Sequence, residues 1–335
     1  MSTFKNDKDL RKIIFGVKED DFEAVALDVF QFQYQNNETY RAYCNSIKTA
    51  PSQVKTWTQI PFLPIQFFKN KVITSTPFEA QVIFESSGTT GSINSKHYIK
   101  DLGIYEESFS KCFELFYGNI QDYCIIGLLP NYLERKNASL VYMVDYLIKK
   151  SKHDESGFYL NDFKKLAQTL INNENNKQQT LLIGVSFALL DFTDAFQFHL
   201  QHTIVMETGG MKGRREEISK DALHQILKEK FSLDNIHSEY GMTELLSQSY
   251  SFGNNIFNSP PWKKIMLRSE DDPFEIKSTS EKPITGAVNI IDLANIYSCS
   301  FIATDDMGKI YPNGSFEIIG RLENSDIRGC GLMVI

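Results

Sequence analysis

Two short stretches carry the residue types needed to handle phosphate and a metal ion. The first is Ser86-Ser87-Gly88-Thr89-Thr90-Gly91, which follows the strand-like Phe84-Glu85. Its glycines permit positive φ and let the backbone come close to a phosphate. Successive N–H groups form an anion-binding nest, and the Ser and Thr hydroxyls add donors. The pattern is neither the Walker loop G-x-x-x-x-G-K-[ST] nor G-x-G-x-x-G. An ordinary Ser/Gly turn accounts for it equally well. The second stretch is Tyr240-Gly241-Met242-Thr243-Glu244. It offers a ring that can stack on a purine, a glycine for close approach, a hydroxyl for phosphate, and a carboxylate suited to Mg²⁺. It precedes a helix-like stretch, so a helix N-terminus capped by Thr243, with Glu244 in the first turn, fits as well.

A third feature is Cys330, in Arg328-Gly329-Cys330-Gly331-Leu332. A thiolate attacks an activated acyl group to give a thioester. A free thiol has a pKa of about 8.5, and Arg328 would favour the anion. The flanking glycines would let one sulfur visit two sites. The alternative is a terminal cysteine packed as a small hydrophobe. Taken together, the three features imply that ATP is used to activate a carboxylic acid, with Mg²⁺ held by Glu244.

The chain that positions these residues has 335 residues, 42% of them hydrophobic, ample for a buried core. A net charge of −7 argues against a general nucleic-acid binder. The N-terminus is polar, without the apolar core of a signal peptide, and the apolar run from Leu181 to Leu190 is too short to span a bilayer. The five cysteines are scattered, without C-x-x-C spacing, which fits a cytoplasmic protein rather than a disulfide or zinc framework. Cys44, Cys112, Cys124 and Cys299 sit in helix- or strand-like contexts and read as core.

The first 55 or so residues read as helical. Pro61 and Pro64 imply an extended connector across residues 60–69. From about residue 80, apolar runs at 81–84, 123–128, 180–185, 203–207, 287–291, 300–303 and 316–319 read as strands. Helix-like segments at 103–115, 138–149, 161–170 and 221–230 alternate with several of them. This alternation predicts an α/β fold with largely parallel strands. The polar tract 172–179 reads as a surface loop. Several single residues keep more than one reading. Lys212 and Arg214 neutralise phosphate or are exposed turn charges; His97 lies near a nucleotide or on the surface; His237 faces an acyl site or is packed. Phe109, Phe113, Phe116 and Tyr117 have helical spacing, as core or as an acyl-pocket wall. Arg321 contacts nucleotide, anchors a terminal hinge, or forms a surface ion pair.

In order along the chain, the motifs resemble those of the adenylate-forming superfamily of acyl-CoA synthetases, peptide-synthetase adenylation domains and luciferases. Ser86 to Gly91 resembles its phosphate loop, Gly209-Gly210 its paired glycine, and Tyr240 to Glu244 its Y-G-x-T-E motif. Thr304-Asp305-Asp306-Met307-Gly308 resembles T-G-D-x-G, with Asp305 replacing the glycine, and Gly320-Arg321 resembles the G-R that opens the hinge. The resemblance gives Asp306 the ribose hydroxyls, Tyr240 the adenine, Thr243 the phosphate and Glu244 the ion. Gly241 then serves close approach.

After Arg321 only 14 residues remain, too few for that superfamily's mobile C-terminal domain and its lysine. The expectation is therefore the large N-terminal domain of an adenylate-forming enzyme, with mixed, largely parallel sheets flanked by helices and a vestigial C-terminal tail. Its boundaries are a helical segment over 1–75, a core over 76–320 and a hinge with tail over 321–335 carrying Cys330. The chain is similar to the LuxE-type acyl-protein synthetases. Trp57 to Lys69 resembles their proline-rich segment, Thr208-Gly209-Gly210-Met211-Lys212-Gly213-Arg214 their T-G-G-x-K-G-R, and Asp326 to Leu332 their D-x-R-G-C-S-L, with Gly331 replacing serine.

In that family the cysteine becomes acylated, which here is Cys330. The resemblance implies a long-chain-fatty-acid–protein ligase using ATP and Mg²⁺. It also implies a partner acyl-CoA/acyl-protein reductase, LuxC-like, that uses NADPH to make an aldehyde. Two other readings stay open: a ligase of the phenylacetate-CoA type with CoA as acceptor, and a non-catalytic scaffold for a reductase.

Overall fold

Apolar residues at helical spacing form three N-terminal helices, Asp7–Phe15, Phe22–Asn36 and Glu38–Ser46, in the computed structural model. The structure describes residues 7–86, 93–130, 137–209, 215–216, 218–277 and 281–322. Phe22, Ala26, Val29, Phe30 and Gln33 are the buried positions of the second helix, the stripe a 3.6-residue period produces. Gln33 fastens that helix to a distant part of the chain. Its amide donates to the Ile296 carbonyl at 2.8 Å and the Asn295 carbonyl at 3.1 Å, and its oxygen accepts from the Ser300 N–H at 2.9 Å. Asn37 caps the third helix by accepting from the Tyr40 N–H, and it donates to the Ser298 carbonyl.

Of the extended connector expected over 60–69, the part around Leu63–Pro64 is extended and the end is not. Leu63–Pro64 pairs in parallel with Ile302 and Ala303. Proline is tolerated there because it lies at the end of a two-residue strand. A short helix, Phe67–Asn70, follows.

Among the described residues thirteen strands form one mixed sheet, and Val82–Glu85 and Lys96–Ile99 form a separate antiparallel hairpin. The parallel part runs in the order Gly157–Phe158, Cys124–Leu128, Thr180–Val185, Thr203–Thr208, His237–Tyr240. Its central strands are buried at every residue or nearly so, as strands covered on both faces must be. The crossover helices include Ser139–Ser151, Phe163–Asn175, Ser186–Ala195 and Lys220–Phe231. From His237–Tyr240 onward the pairing is antiparallel, through Ser249–Ser251 and Phe257–Asn258 to Phe316–Arg321, Phe301–Ile310, Ile284–Asp292 and Lys263–Arg268. The fold is thus α/β with a large mixed sheet flanked by helices; one half is parallel and the other antiparallel, save for the short parallel pairing of Leu63–Pro64.

Two expectations change. The tract 172–179 is not all loop: the helix Phe163–Asn175 runs into it, because Asn173 continues the buried stripe and donates to Thr180 Oγ1 at 3.0 Å. No helix follows Tyr240–Glu244. The chain turns and returns as Ser249–Ser251, since the Asp292 carboxylate takes the Leu246 and Ser247 N–H groups that a helix would otherwise use. The apolar run 181–190 is two elements, the strand Thr180–Val185 and the helix Ser186–Ala195. Among the described residues no helix is long and apolar enough to cross a membrane. The four cysteines at 44, 112, 124 and 299 are buried.

Gln33→Ala should lower stability by about 2 kcal/mol, because it strands the buried Ile296 carbonyl and the Ser300 N–H without partners. Chemical denaturation followed by far-UV circular dichroism reads this as a lower midpoint at unchanged slope.

Candidate active site

Parallel strands expose their last carbonyl-end residues along one edge, and in open α/β sheets ligands bind there. Thr203–Thr208 ends at this edge in Gly209, and the adjacent His237–Tyr240 ends in Tyr240 and Gly241, with Thr208 paired to Glu239. Both glycines answer a local demand. Gly209 has φ +71 and its carbonyl accepts from Ser186 Oγ at 3.0 Å. At Gly241 a Cβ would lie 2.3 Å from Glu239 Oε1. Glu239 is held in that position by Thr208 Oγ1, which donates to Oε2 at 2.6 Å. Burial pushes the Glu239 carboxyl up, against the pull of that bond and of Lys263.

Two motifs distant in sequence meet at Tyr240. Its hydroxyl donates to Asp306 Oδ2 at 2.8 Å. Its ring packs against Phe257 and Phe316 at 5.8 and 5.7 Å, and the Lys263 ammonium lies 5.3 Å from its centre. Asp306 stands opposite Arg321 in the antiparallel register of their strands. Arg321 Nε is 3.7 Å from Asp306 Oδ1, and its NH2 is 3.3 Å from Asp305 Oδ2. Its side chain is only 8% exposed, so this is a buried pairing and not a surface one. Asp305, the departure from the T-G-D pattern, also accepts from Gln66 Nε2 at 2.5 Å, tying the proline-containing segment to the same place.

Glu244 is buried, and Thr243 is partly so. Their backbone carbonyls are gripped from one side. His97 Nδ1 donates to the Thr243 carbonyl at 2.7 Å, and Asn295 Nδ2 donates to the Glu244 carbonyl at 2.7 Å. His97 is therefore not a surface histidine: it is 1% exposed. Burial lowers its pKa, against the bonds to Thr243 and Asn295. At the base of the Ser/Thr/Gly loop the Ser86 N–H donates to the Ser95 carbonyl at 3.1 Å, and Ser86 Oγ accepts from the Ser95 N–H at 2.9 Å.

A second buried charge cluster lies behind Gly209. Glu207 Oε1 is 2.9 Å from Lys220 Nζ and 3.5 Å from His224 Nε2. Burial alone would raise the Glu207 carboxyl, but Lys220 and His224 outweigh it and hold the group at about 2. His237, half-buried, packs on Tyr117 and Phe252 and accepts from the Tyr117 hydroxyl at 3.1 Å; burial lowers its pKa to about 4. Phe109 and Phe113 are core.

Several residues expected at the site lie outside the described residues: Ser87, Gly88, Thr89, Thr90, Gly91, Gly210, Lys212, Arg214 and Cys330. The sequence reading passed over three polar residues that frame the Tyr240–Glu244 turn, namely Lys263, Asp292 and Asn295. A charge or amide closing an apolar strand, as in Val288-Asn289-Ile290-Ile291-Asp292, was the available signal. No group of three or more His, Cys, Asp or Glu side chains suited to a metal occurs among the described residues.

The chain resembles known proteins along nearly its whole length. It is 25% identical over 343 aligned positions to the long-chain-fatty-acid–luciferin-component ligase of Aliivibrio fischeri, covering 91% of this chain and 85% of that one. The same-named ligase of Vibrio harveyi is 24% identical, covering 90% and 84%. Among solved structures, ATP-bound MatB from Rhodopseudomonas palustris superposes with a TM-score of 0.53 at 14% identity, over 71% of this chain and 47% of its own. McyG A-PCP complexed with phenylalanyl-adenylate gives 0.53 at 16% identity, over 86% and 53%. The chain thus spans about half the length of these two structures, and the likeness is one of fold. The sequence model described as "Acyl-protein synthetase, LuxE" matches residues 12–335, so the chain belongs to the LuxE family of acyl-protein synthetases, a family of ligases.

Proposed function

We propose that this protein activates a carboxylic acid, in the first instance a long-chain fatty acid, with ATP and passes the acyl group to its own Cys330. The observation that carries the reading is the contact between Tyr240 and Asp306, which brings two separate nucleotide motifs together at the carboxyl edge of the parallel strands. The names of the curated relatives, ligases of long-chain fatty acids, support the choice of acid.

In this reading the acid's carboxylate attacks the α-phosphorus of ATP, forming acyl-AMP and releasing pyrophosphate. The Ser86–Gly91 loop supplies donors to the phosphates, Gly209 and Gly210 leave room for the base, and Tyr240 orients the adenine. Asp306 accepts from the ribose hydroxyls, with Arg321 beside that carboxylate at 3.7 Å. Thr243 offers its hydroxyl to phosphate. The donor set fits Mg²⁺: Glu244 is a buried hard oxygen ligand, and Mg²⁺ commonly takes one or two carboxylates together with phosphate oxygens and water. When bound, the ion would neutralise charge on the phosphates. Cys330 as thiolate then attacks the acyl carbon, the C–O bond to phosphate breaks, and AMP leaves with the electron pair. The thioester is the form handed to a partner acyl reductase of the LuxC-like kind.

Intact mass spectrometry after incubation with ATP and a panel of acids should show one acyl adduct. Hydroxylamine should remove it, and Cys330→Ala should abolish it while acid-dependent pyrophosphate exchange continues. Acyl-CoA made by Cys330→Ala would overturn the thioester step in favour of a CoA ligase. Loss of the acid-dependent exchange itself, with a reductase complex retained, would favour a scaffold.

Glu244→Gln should lower that exchange about 10²-fold, the usual cost of removing one charge-stabilising group, and chelating Mg²⁺ should abolish it. Exchange at the wild-type rate in the variant would remove Glu244 from the proposed role.

A further inference from the structure

We infer that His97 is a positioning residue for adenylation: it locks the backbone of Thr243 and Glu244 to the hairpin that carries the Ser/Thr/Gly loop. The inference rests on the proposed roles of Thr243 and Glu244.

His97 sits on the strand Lys96–Ile99, directly opposite Phe84. Two residues before it, Ser95 exchanges two hydrogen bonds with Ser86 and so closes the base of the loop. The imidazole reaches from this hairpin to the turn, with Nδ1 donating to the Thr243 carbonyl at 2.7 Å. Its Nε2 meets Asn295 Oδ1 at 2.9 Å. Asn295 Nδ2 is already committed to the Glu244 and Cys299 carbonyls, at 2.7 and 2.9 Å. The Asn295 oxygen must therefore face the ring. Phe68 lies edge-on to the imidazole at 5.9 Å, leaving it little room to turn.

One ring thus fixes, directly and through the Asn295 amide, the carbonyls of two consecutive residues, Thr243 and Glu244. Fixing both carbonyls fixes where the Thr243 and Glu244 side chains start from, relative to the strands Val82–Glu85 and Lys96–Ile99. A phenyl ring would fill the space but leave the Thr243 carbonyl without the N–H it accepts from Nδ1, a costly arrangement. A core histidine that served packing alone would not need both bonds aimed at this turn. Displacements of about 1 Å at such a site cost about 10²-fold in rate.

The test is acid-dependent ATP–pyrophosphate exchange by the full chain, with hexadecanoic acid as probe. KM for MgATP, KM for the acid and kcat are measured separately, and folding is checked by circular dichroism and melting. His97→Ala should raise KM for MgATP at least about tenfold and lower kcat toward 10²-fold, with KM for the acid within about twofold. His97→Gln, which keeps one donor, should fall between the two. A folded His97→Ala with wild-type constants, or with reduced kcat and unchanged KM for MgATP, overturns the inference. If His97→Ala does not fold, His97→Gln and Asn295→Ala carry the same comparison. Glu244→Gln run alongside separates the two failures. If it is impaired and the His97 and Asn295 variants are not, the clamp alone is wrong; if it too is unimpaired, the assignment of the turn falls and the clamp with it.

Discussion

Asp292 is fully buried, and its two oxygens accept from the Leu246 N–H at 2.8 Å, the Ser247 N–H at 2.9 Å and the Ser247 hydroxyl at 2.6 Å. These bonds decide what the chain does after Glu244. Consecutive amides pointing at one carboxylate satisfy backbone donors that would otherwise demand a helix or strand partner. The chain can then double back into Ser249–Ser251 and extend the sheet antiparallel. Burial pushes the Asp292 carboxyl up while Ser247 and Lys263 pull it down, and burial brings the Lys263 ammonium down to about 8 although Asp292 favours its charge. Lys263 in turn donates to the Ser247 carbonyl at 3.0 Å. Buried charges of this kind add little net stability compared with a well-packed apolar core, but removing one partner is strongly destabilising. Here they fix the conformation of one turn.

Around that turn the polar residues act as a connected set. Trp262 Nε1 donates to Ser247 Oγ at 3.0 Å and lies 3.2 Å from Ser108 Oγ, so a long helix, Leu102–Tyr117, joins the network. Asn295 and His97 close it on the other side, and Gln33 reaches the Asn295 carbonyl from the N-terminal helices. The Tyr240–Glu244 segment is therefore braced by the hairpin, the antiparallel strands and the N-terminal helices together. Bracing from several elements is what holds catalytic geometry to fractions of an ångström.

How much of this the sequence revealed follows from which interactions are local. Buried parallel strands such as Thr180–Val185 announce themselves as apolar runs, and the motifs that begin at Thr208 and Tyr240 are contiguous in sequence. The helix Ser186–Ala195 was hidden because nearly all of it is buried, so no polar face marks its period. Ser249–Ser251 and Lys263–Arg268 read as polar, yet Lys263 and Arg268 spend their charges inside, Arg268 on the Val288 and Thr304 carbonyls at 2.8 and 2.6 Å. His97, Asp292 and Asn295 gain their meaning from partners far along the chain, which no local pattern encodes.

The same distinction explains Asp305, the one residue that breaks the T-G-D pattern. Arg321 lies 3.3 Å from Asp305 and 3.7 Å from Asp306, with little exposure to water. An arginine whose only carboxylate neighbour were Asp306 would lose compensation as soon as that carboxylate turned to a hydroxyl-bearing ligand, and an uncompensated buried charge is costly. With Asp305 beside it the guanidinium keeps a partner throughout. Gln66 holds Asp305 in place from the proline-containing segment, so a residue far from the motif in sequence helps keep Asp305 beside Arg321.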